Sequence, residues 1–271
     1  MNEMTLRVTS VDGTRIAYDR KGTGPAVILV GGTLDDGAEN APLARFLADR
    51  FTVYNYARRG RGASGDASPY ALAREVEDLD ALIATAGGSA HVYGSSSGGA
   101  LVLEAAAAGS AIDKIAVWDV PYAIGDDLRP RFDQYLADTR EAYEADRDEE
   151  LLELFMTLTG GPDADIAASK QHPLWTSSVV LAHTLVKDAV VLNDYKIPTD
   201  RLTRITQSVL VTTEGSITQP QLAGMPTDFF VRAASAIAAV IPQARRHTLD
   251  GQGHVVAPES MARVLTTFFT Q

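Results

Sequence analysis

Short, wholly apolar runs alternate along this chain with stretches whose apolar residues recur at helical spacing. Leu6 to Thr9 and Thr14 to Asp19 flank a turn at Val11-Asp12-Gly13 and predict an N-terminal hairpin. Ala26-Val27-Ile28-Leu29-Val30 is apolar at every position and stops at Gly31-Gly32. That pattern suits a strand covered on both faces of a parallel sheet. Pro42 to Arg50 reads as a short helix and Phe51 to Tyr56 as the next strand. The spacing of Leu72, Val76, Leu79, Leu82 and Ile83 predicts a helix over Tyr70 to Ala86. A strand at His91-Val92-Tyr93, a helix over Gly98 to Ala108 and a strand over Lys114 to Trp118 follow. This alternation implies βαβ units.

The rhythm breaks between about Pro121 and Leu202, where helices are predicted over Arg131 to Ala145, Glu149 to Thr159 and Val179 to Val191. It resumes with a strand at Ser208 to Thr213, a helix at Asp228 to Ile241, a strand at Arg245 to Leu249 and a helix at Met261 to Phe269. The expectation is an α/β fold with a mostly parallel, doubly wound sheet. Residues 1–120 and 203–271 would form its core, and residues 121–202 a helical lid inserted after strand six. The dense charge around Glu141 to Glu150 reads as a solvated helix face.

Composition narrows the classes. The chain has 271 residues, 45% hydrophobic and 22% charged, enough to bury a core without disulfide or metal staples. A formal net charge of -11 argues against nucleic acid and anionic membrane surfaces, and favours a neutral or cationic small molecule over a polyanion. With no cysteine, thiolate catalysis and cysteine metal sites are excluded, and no cofactor or metal is called for. The leading Met1-Asn2-Glu3-Met4-Thr5 lacks the basic and apolar regions of a secretory leader, so a cytoplasmic protein, monomer or homodimer, is expected.

The segment His91-Val92-Tyr93-Gly94-Ser95-Ser96-Ser97-Gly98-Gly99-Ala100-Leu101 contains G-x-S-x-G between a predicted strand and a predicted helix. A strand that turns abruptly into a helix strains its corner residue, and glycines two positions either side remove colliding side chains. The corner hydroxyl, Ser96, would then project at a helix N-terminus, where backbone N–H groups favour developing negative charge. A serine hydroxyl needs a base. Of His91, His172, His183, His247 and His254, only His254 lies in a glycine-rich turn between the last strand and the last helix. His91 reads as a packing residue on the strand before the corner. An oxyanion hole would draw one N–H from Ser97 and a second from the Gly31-Gly32-Thr33-Leu34 loop, with Thr33 the first choice and Leu34 the reserve.

Taken together these features resemble the α/β-hydrolase superfamily, over about Thr5 to Phe269. Gly94 to Gly98 resembles its nucleophile elbow, Gly253-His254 its late Gly-His, and Arg58-Arg59-Gly60-Arg61-Gly62-Ala63-Ser64 its arginine-glycine loop after strand four. The branch resembled is the small, lidded, cofactor-independent hydrolases and their non-haem haloperoxidase-like relatives. Three departures stand out. The family's His-Gly oxyanion loop is Gly31-Gly32, the aspartate opening the loop after strand four is Ala57, and the stretch after strand seven, Thr212 to Thr218, has no aspartate. Some members carry the triad acid after strand six instead. Asp119, 23 residues beyond Ser96, fits that placement, with Glu214 second and Asp228 third. The resemblance implies a serine hydrolase acting on an ester or related carbonyl through an acyl-enzyme. A lyase, carbon–carbon hydrolase or perhydrolase on the same scaffold, and a non-catalytic ligand-binding member, are the alternatives. Leu34, Trp118, Tyr122, Phe155, Met156 and Trp175 are the candidates to line an apolar substrate site.

Overall fold

The N-terminal hairpin forms as β1 (Leu6–Thr9) and β2 (Arg15–Lys21), and the apolar run becomes β3 (Ala26–Val30). The computed structural model describes residues 5–161 and 164–271. Met1 to Met4, which carry most of the reading on a secretory leader, lie outside the described residues. The chain continues through α1 (Ala41–Leu47), β4 (Thr52–Tyr56), α2 (Leu72–Thr85), β5 (Ala90–Ser95), α3 (Ser97–Ala108) and β6 (Ile112–Trp118). Among the described residues, six helices then precede the next strand: α4 (Arg129–Glu144), α5 (Asp148–Gly160), α6 (Ile166–Lys170), α7 (Trp175–Ala182), α8 (Leu185–Val191) and α9 (Thr199–Leu202). The chain closes with β7 (Ser208–Thr213), α10 (Phe229–Val240), β8 (Ala244–Thr248) and α11 (Pro258–Phe269).

The eight strands form one sheet in the order β1-β2-β4-β3-β5-β6-β7-β8. β1 and β2, and β2 and β4, pair antiparallel; every later pairing is parallel. This is the fold class that the strand–helix alternation predicts. Period-two alternation explains the continuous apolar runs. Ile28 and Val30 face the α2, α3 and α10 side with Val92, Ile115 and Val117, whereas Val27 and Leu29 face α1 and α11 with Tyr93, Ala116 and Trp118. Each such fully buried aliphatic side chain contributes about 1.5–3 kcal/mol relative to exposure. A third apolar cluster joins Ala142, Leu151, Leu152, Ala182 and Leu185 of the helical segment, and Leu34, Phe155, Met156 and Trp175 pack against it.

The predicted helix over Val179 to Val191 divides into α7 and α8. At the break the Thr184 hydroxyl folds back onto the Leu181 carbonyl at 2.7 Å, competing with the helical ladder. Among the described residues, no helix is long and apolar enough to cross a membrane.

The β5–α3 corner sits tightly against β3. A Cβ on Gly98 would strike the carbonyl oxygens of Val30 and Gly31, and one on Gly94 would strike the first turn of α3. These obstacles are backbone and cannot swing aside. Gly98→Ala should therefore lower unfolding free energy by about 1–3 kcal/mol, read by denaturant titration; an unchanged midpoint would contradict this packing.

Candidate active site

Ser96 occupies the corner between β5 and α3 with φ 51 and ψ -125, outside the regions an L residue ordinarily adopts. Its N–H donates to the Trp118 carbonyl at 2.7 Å, which ties the corner to the end of β6. Ser97, the first residue of α3, is fully buried. Among the described residues, neither the Ser97 N–H nor the Thr33 N–H has a protein acceptor. Gly32 closes on the corner: a Cβ there would sit 3.0 Å from the Ser96 Cβ.

The structure brings His254 to the same sheet edge. Its Nδ1 lies 3.2 Å from Oδ2 of Asp119, a contact spanning 135 positions. Nδ1 being engaged there, Nε2 is the nitrogen left to face a reacting hydroxyl. Asp119 itself stands just past β6 with φ 46, in the left-handed region, and is buried. Its Oδ1 accepts the Thr213 hydroxyl at 2.8 Å and the Glu214 N–H at 3.1 Å. The carboxylate is thus held from one side by the end of β7 and presented to the imidazole on the other.

The other acid candidates fall differently. Glu214 is buried beside Asp119, but its carboxylate accepts from Gln219 Nε2 at 3.0 Å and makes no hydrogen bond to the ring. Burial pushes the Glu214 carboxyl above the usual range; Gln219 opposes this, and the charge on Asp119 adds to it. Asp228 is remote in role: it pairs with Arg232 at 2.8 Å on the surface. Burial works against a charged His254 ring, yet the hydrogen bond and charge of Asp119, with the charges of Glu39 and Glu214, raise its pKa above 6.5.

Two candidate lining residues are corrected. Trp118 points to the α1/α11 face with Ala116, as strand alternation dictates, and is fully buried. Its indole Nε1 donates to the His254 carbonyl at 2.7 Å, so it props the histidine loop from the α1/α11 face. Tyr122 is buried in the core on the α3 side. Leu34, Phe155, Met156 and Trp175, half-buried, do share one apolar cluster. The remaining histidines lie elsewhere: His91 stacks on Phe269 at 4.8 Å, His172 Nδ1 accepts the Leu174 N–H, His183 Nδ1 meets the Val180 carbonyl, and His247 is exposed on β8.

Two neighbours of His254 escape sequence reasoning. The ring of Phe230 stacks on the imidazole at 4.8 Å and 10°. Gln219 accepts the His254 N–H at 3.3 Å while donating to Glu214. Phe230 reads in the sequence only as a core position of a helix, and Gln219 carries no motif.

The eight-stranded sheet, the strained serine at a β–α corner and a late histidine on a buried carboxylate resemble the α/β hydrolases. Residues 27–267 match the model of the alpha/beta hydrolase family, and the chain belongs to that family. An alpha/beta hydrolase from Sphaerobacter thermophilus DSM 20745 is 43% identical, covers 97% of this chain and 100% of its own, and superposes with a TM-score of 0.81. The esterase RhEst1 from Rhodococcus sp. ECU1013 shares the fold at 22% identity and a TM-score of 0.69, over 98% of each chain. The uncharacterized hydrolase YraK of Bacillus subtilis (strain 168) is 34% identical over 108 residues, 38% of this chain and 39% of that protein. The probable oxidoreductase EphD of Mycobacterium tuberculosis (strain ATCC 25618 / H37Rv) is 37% identical over 86 residues, 30% of this chain and 14% of that protein. The matches thus span well under half of these two curated relatives. The protein is a hydrolase.

The raised pKa has a signed consequence. The His254 ring should titrate above 6.5 by NMR, and Asp119→Asn should lower its pKa, because burial then acts with less opposition. Stability from the charged ring is fully present below the unfolded pKa near 6.5 and is lost as pH rises through the higher folded value. A ring that titrates identically in both proteins would contradict the Asp119 contact.

Proposed function

We propose that the chain is a serine hydrolase acting on a neutral, largely apolar ester or related carbonyl compound. The observation that carries this reading is the 3.2 Å contact of His254 Nδ1 with buried Asp119, together with a serine at the strained corner whose N–H bonds the carbonyl of the residue preceding Asp119. In the first half-reaction His254 Nε2 takes the Ser96 proton as the serine oxygen attacks the carbonyl. The N–H groups of Thr33 and Ser97 receive the oxyanion. The tetrahedral intermediate collapses as His254 protonates the leaving alcohol, which leaves an acyl-serine. Water, deprotonated by His254, then releases the acid and restores Ser96. Asp119 holds the ring with Nδ1 protonated and stabilises the imidazolium in both halves. The stacked Phe230 face favours that cation by a further fraction of a kcal/mol to about 2 kcal/mol.

The substrate class follows from the surroundings. The helical segment between β6 and β7 acts as a lid, and Leu34, Phe155, Met156 and Trp175 offer an apolar surface beside the oxyanion loop. Glu39 and Glu214 place negative charge around His254, which disfavours an anionic acyl group.

Ser96→Ala should lower turnover of a short p-nitrophenyl ester by about 10⁶-fold and Asp119→Asn by about 10⁴-fold. Glu214→Gln should cost far less than Asp119→Asn. Full turnover in Ser96→Ala, or a larger loss in Glu214→Gln than in Asp119→Asn, would overturn the assigned roles.

A further inference from the structure

Both loops that carry the expected oxyanion donors are gripped from behind by buried arginines. Arg61 Nη1 donates to the Gly32 carbonyl at 2.9 Å. That carbonyl and the Thr33 N–H are the two ends of one planar trans peptide and point in opposite directions. Fixing the carbonyl on Arg61 therefore aims the N–H the other way. On the second loop, Arg58 Nη1 donates to Ser97 Oγ at 3.0 Å, and the Thr33 hydroxyl reaches the same oxygen at 3.2 Å. The two donor residues are thereby joined to each other as well as to a guanidinium.

One carboxylate collects both arginines. Asp188 Oδ1, on α8, accepts from Arg58 at 2.8 Å and from Arg61 at 2.7 Å. Arg58 also pairs in bidentate fashion with Glu75, at 2.7 and 2.8 Å, and Tyr70 donates to Glu75 at 2.8 Å. The four charged side chains are 2% exposed or less. Burial opposes ionisation of Asp188, but the charges of Arg61 and Arg58 and hydrogen bonds from Arg61 and Ser97 hold its carboxyl below the usual range.

Four buried charges are a poor source of stability, because apolar residues of similar volume commonly serve as well or better. Their contacts point to another use. We infer that Arg61 is a positioning residue of the oxyanion hole, acting through the Gly32–Thr33 peptide, and that Arg58 and Asp188 hold it in register with Ser97; the inference rests on the serine-hydrolase reading above. A guanidinium on the carbonyl also polarises the peptide and strengthens its N–H as a donor. Preorganisation of this kind matters most where charge develops in the transition state. It also fits the loop's composition. A side chain at position 31 would have to displace the Asp35 carboxylate, and glycine there leaves the support of the loop to the arginine side. Asp188 arrives from the helical segment, so substrate contacts there are mechanically joined to the oxyanion loop. Arg59 supplies the contrast: it bonds Asp78, Asp12 and the Arg74 carbonyl and touches neither donor loop.

The experiment compares Arg61→Met, Arg61→Lys, the charge-balanced pair Arg61→Met/Asp188→Asn, and Arg59→Met as a structural control. Each is assayed for kcat and KM on a neutral p-nitrophenyl ester. Each is also assayed for affinity toward a trifluoromethyl ketone, which forms a tetrahedral adduct, and toward the matching unreactive amide. For Arg61→Met, kcat should fall roughly ten- to hundredfold, short of the loss from deleting a donor outright, with KM within about threefold. Ketone affinity should fall in step with kcat while amide affinity holds. Lysine should restore part of the loss, and the charge-balanced pair should retain the defect. Arg59→Met should lower the melting temperature without changing the ratio of ketone to amide affinity. Unchanged kcat in either Arg61→Met protein, or equal loss of ketone and amide affinity, would overturn the inference. Failure of a fluorophosphonate to label Ser96 in the wild-type protein would overturn the serine-hydrolase reading and this inference with it. Normal labelling with indifference to Arg61 would overturn this inference alone.

Discussion

The C-terminal end of β6 is the constraint on which the site depends. The Trp118 carbonyl accepts the Ser96 N–H, and the Trp118 indole donates to the His254 carbonyl, both at 2.7 Å. The next residue, Asp119, meets the imidazole. Two consecutive residues therefore fix a serine, a histidine and a carboxylate that lie far apart in the chain. Ser96 and Asp119 each adopt positive φ, at a cost of roughly 1–3 kcal/mol apiece. The parallel pairing of β5, β6 and β7, whose C-terminal halves are buried, overdetermines the positions of both.

Much of this was legible in the chain. Ala26–Val30 suits a doubly covered strand, and the glycines around Ser96 have a geometric purpose at a strand–helix corner. Asp119 was a candidate only through the resemblance to family members that carry an acid after strand six, and its contact with His254 is what the chain alone did not display. The direction of a side chain at the last residue of a strand was less legible. Trp118 looked like a pocket residue because it precedes the helical segment, but counting by twos from Ala116 turns it to the other face. Tyr122 was misread for a similar reason: an aromatic beside a predicted lid is equally at home in the core beneath it.

The polar network around the oxyanion loop was out of reach. Asp188 meets Arg61 and Arg58 across 127 and 130 positions, and nothing local in α8 marks one aspartate as a buried partner for two guanidinium groups. The arginine-rich loop was visible, but its three arginines have different tasks. Arg59 ties α2 to the N-terminal turn, while Arg58 and Arg61 face the donor loops. Gln219 and Phe230 were hidden likewise, since each acts only by lying against His254.

The most direct measurement is the pH dependence of fluorophosphonate labelling, with the modified residue located by peptide mass spectrometry. The expected result is one adduct, on Ser96, whose rate of formation rises with pH through a midpoint above 6.5 as His254 loses its proton. An adduct on another residue, no adduct, or a rate indifferent to pH across that range would contradict the coupling of this serine to this histidine.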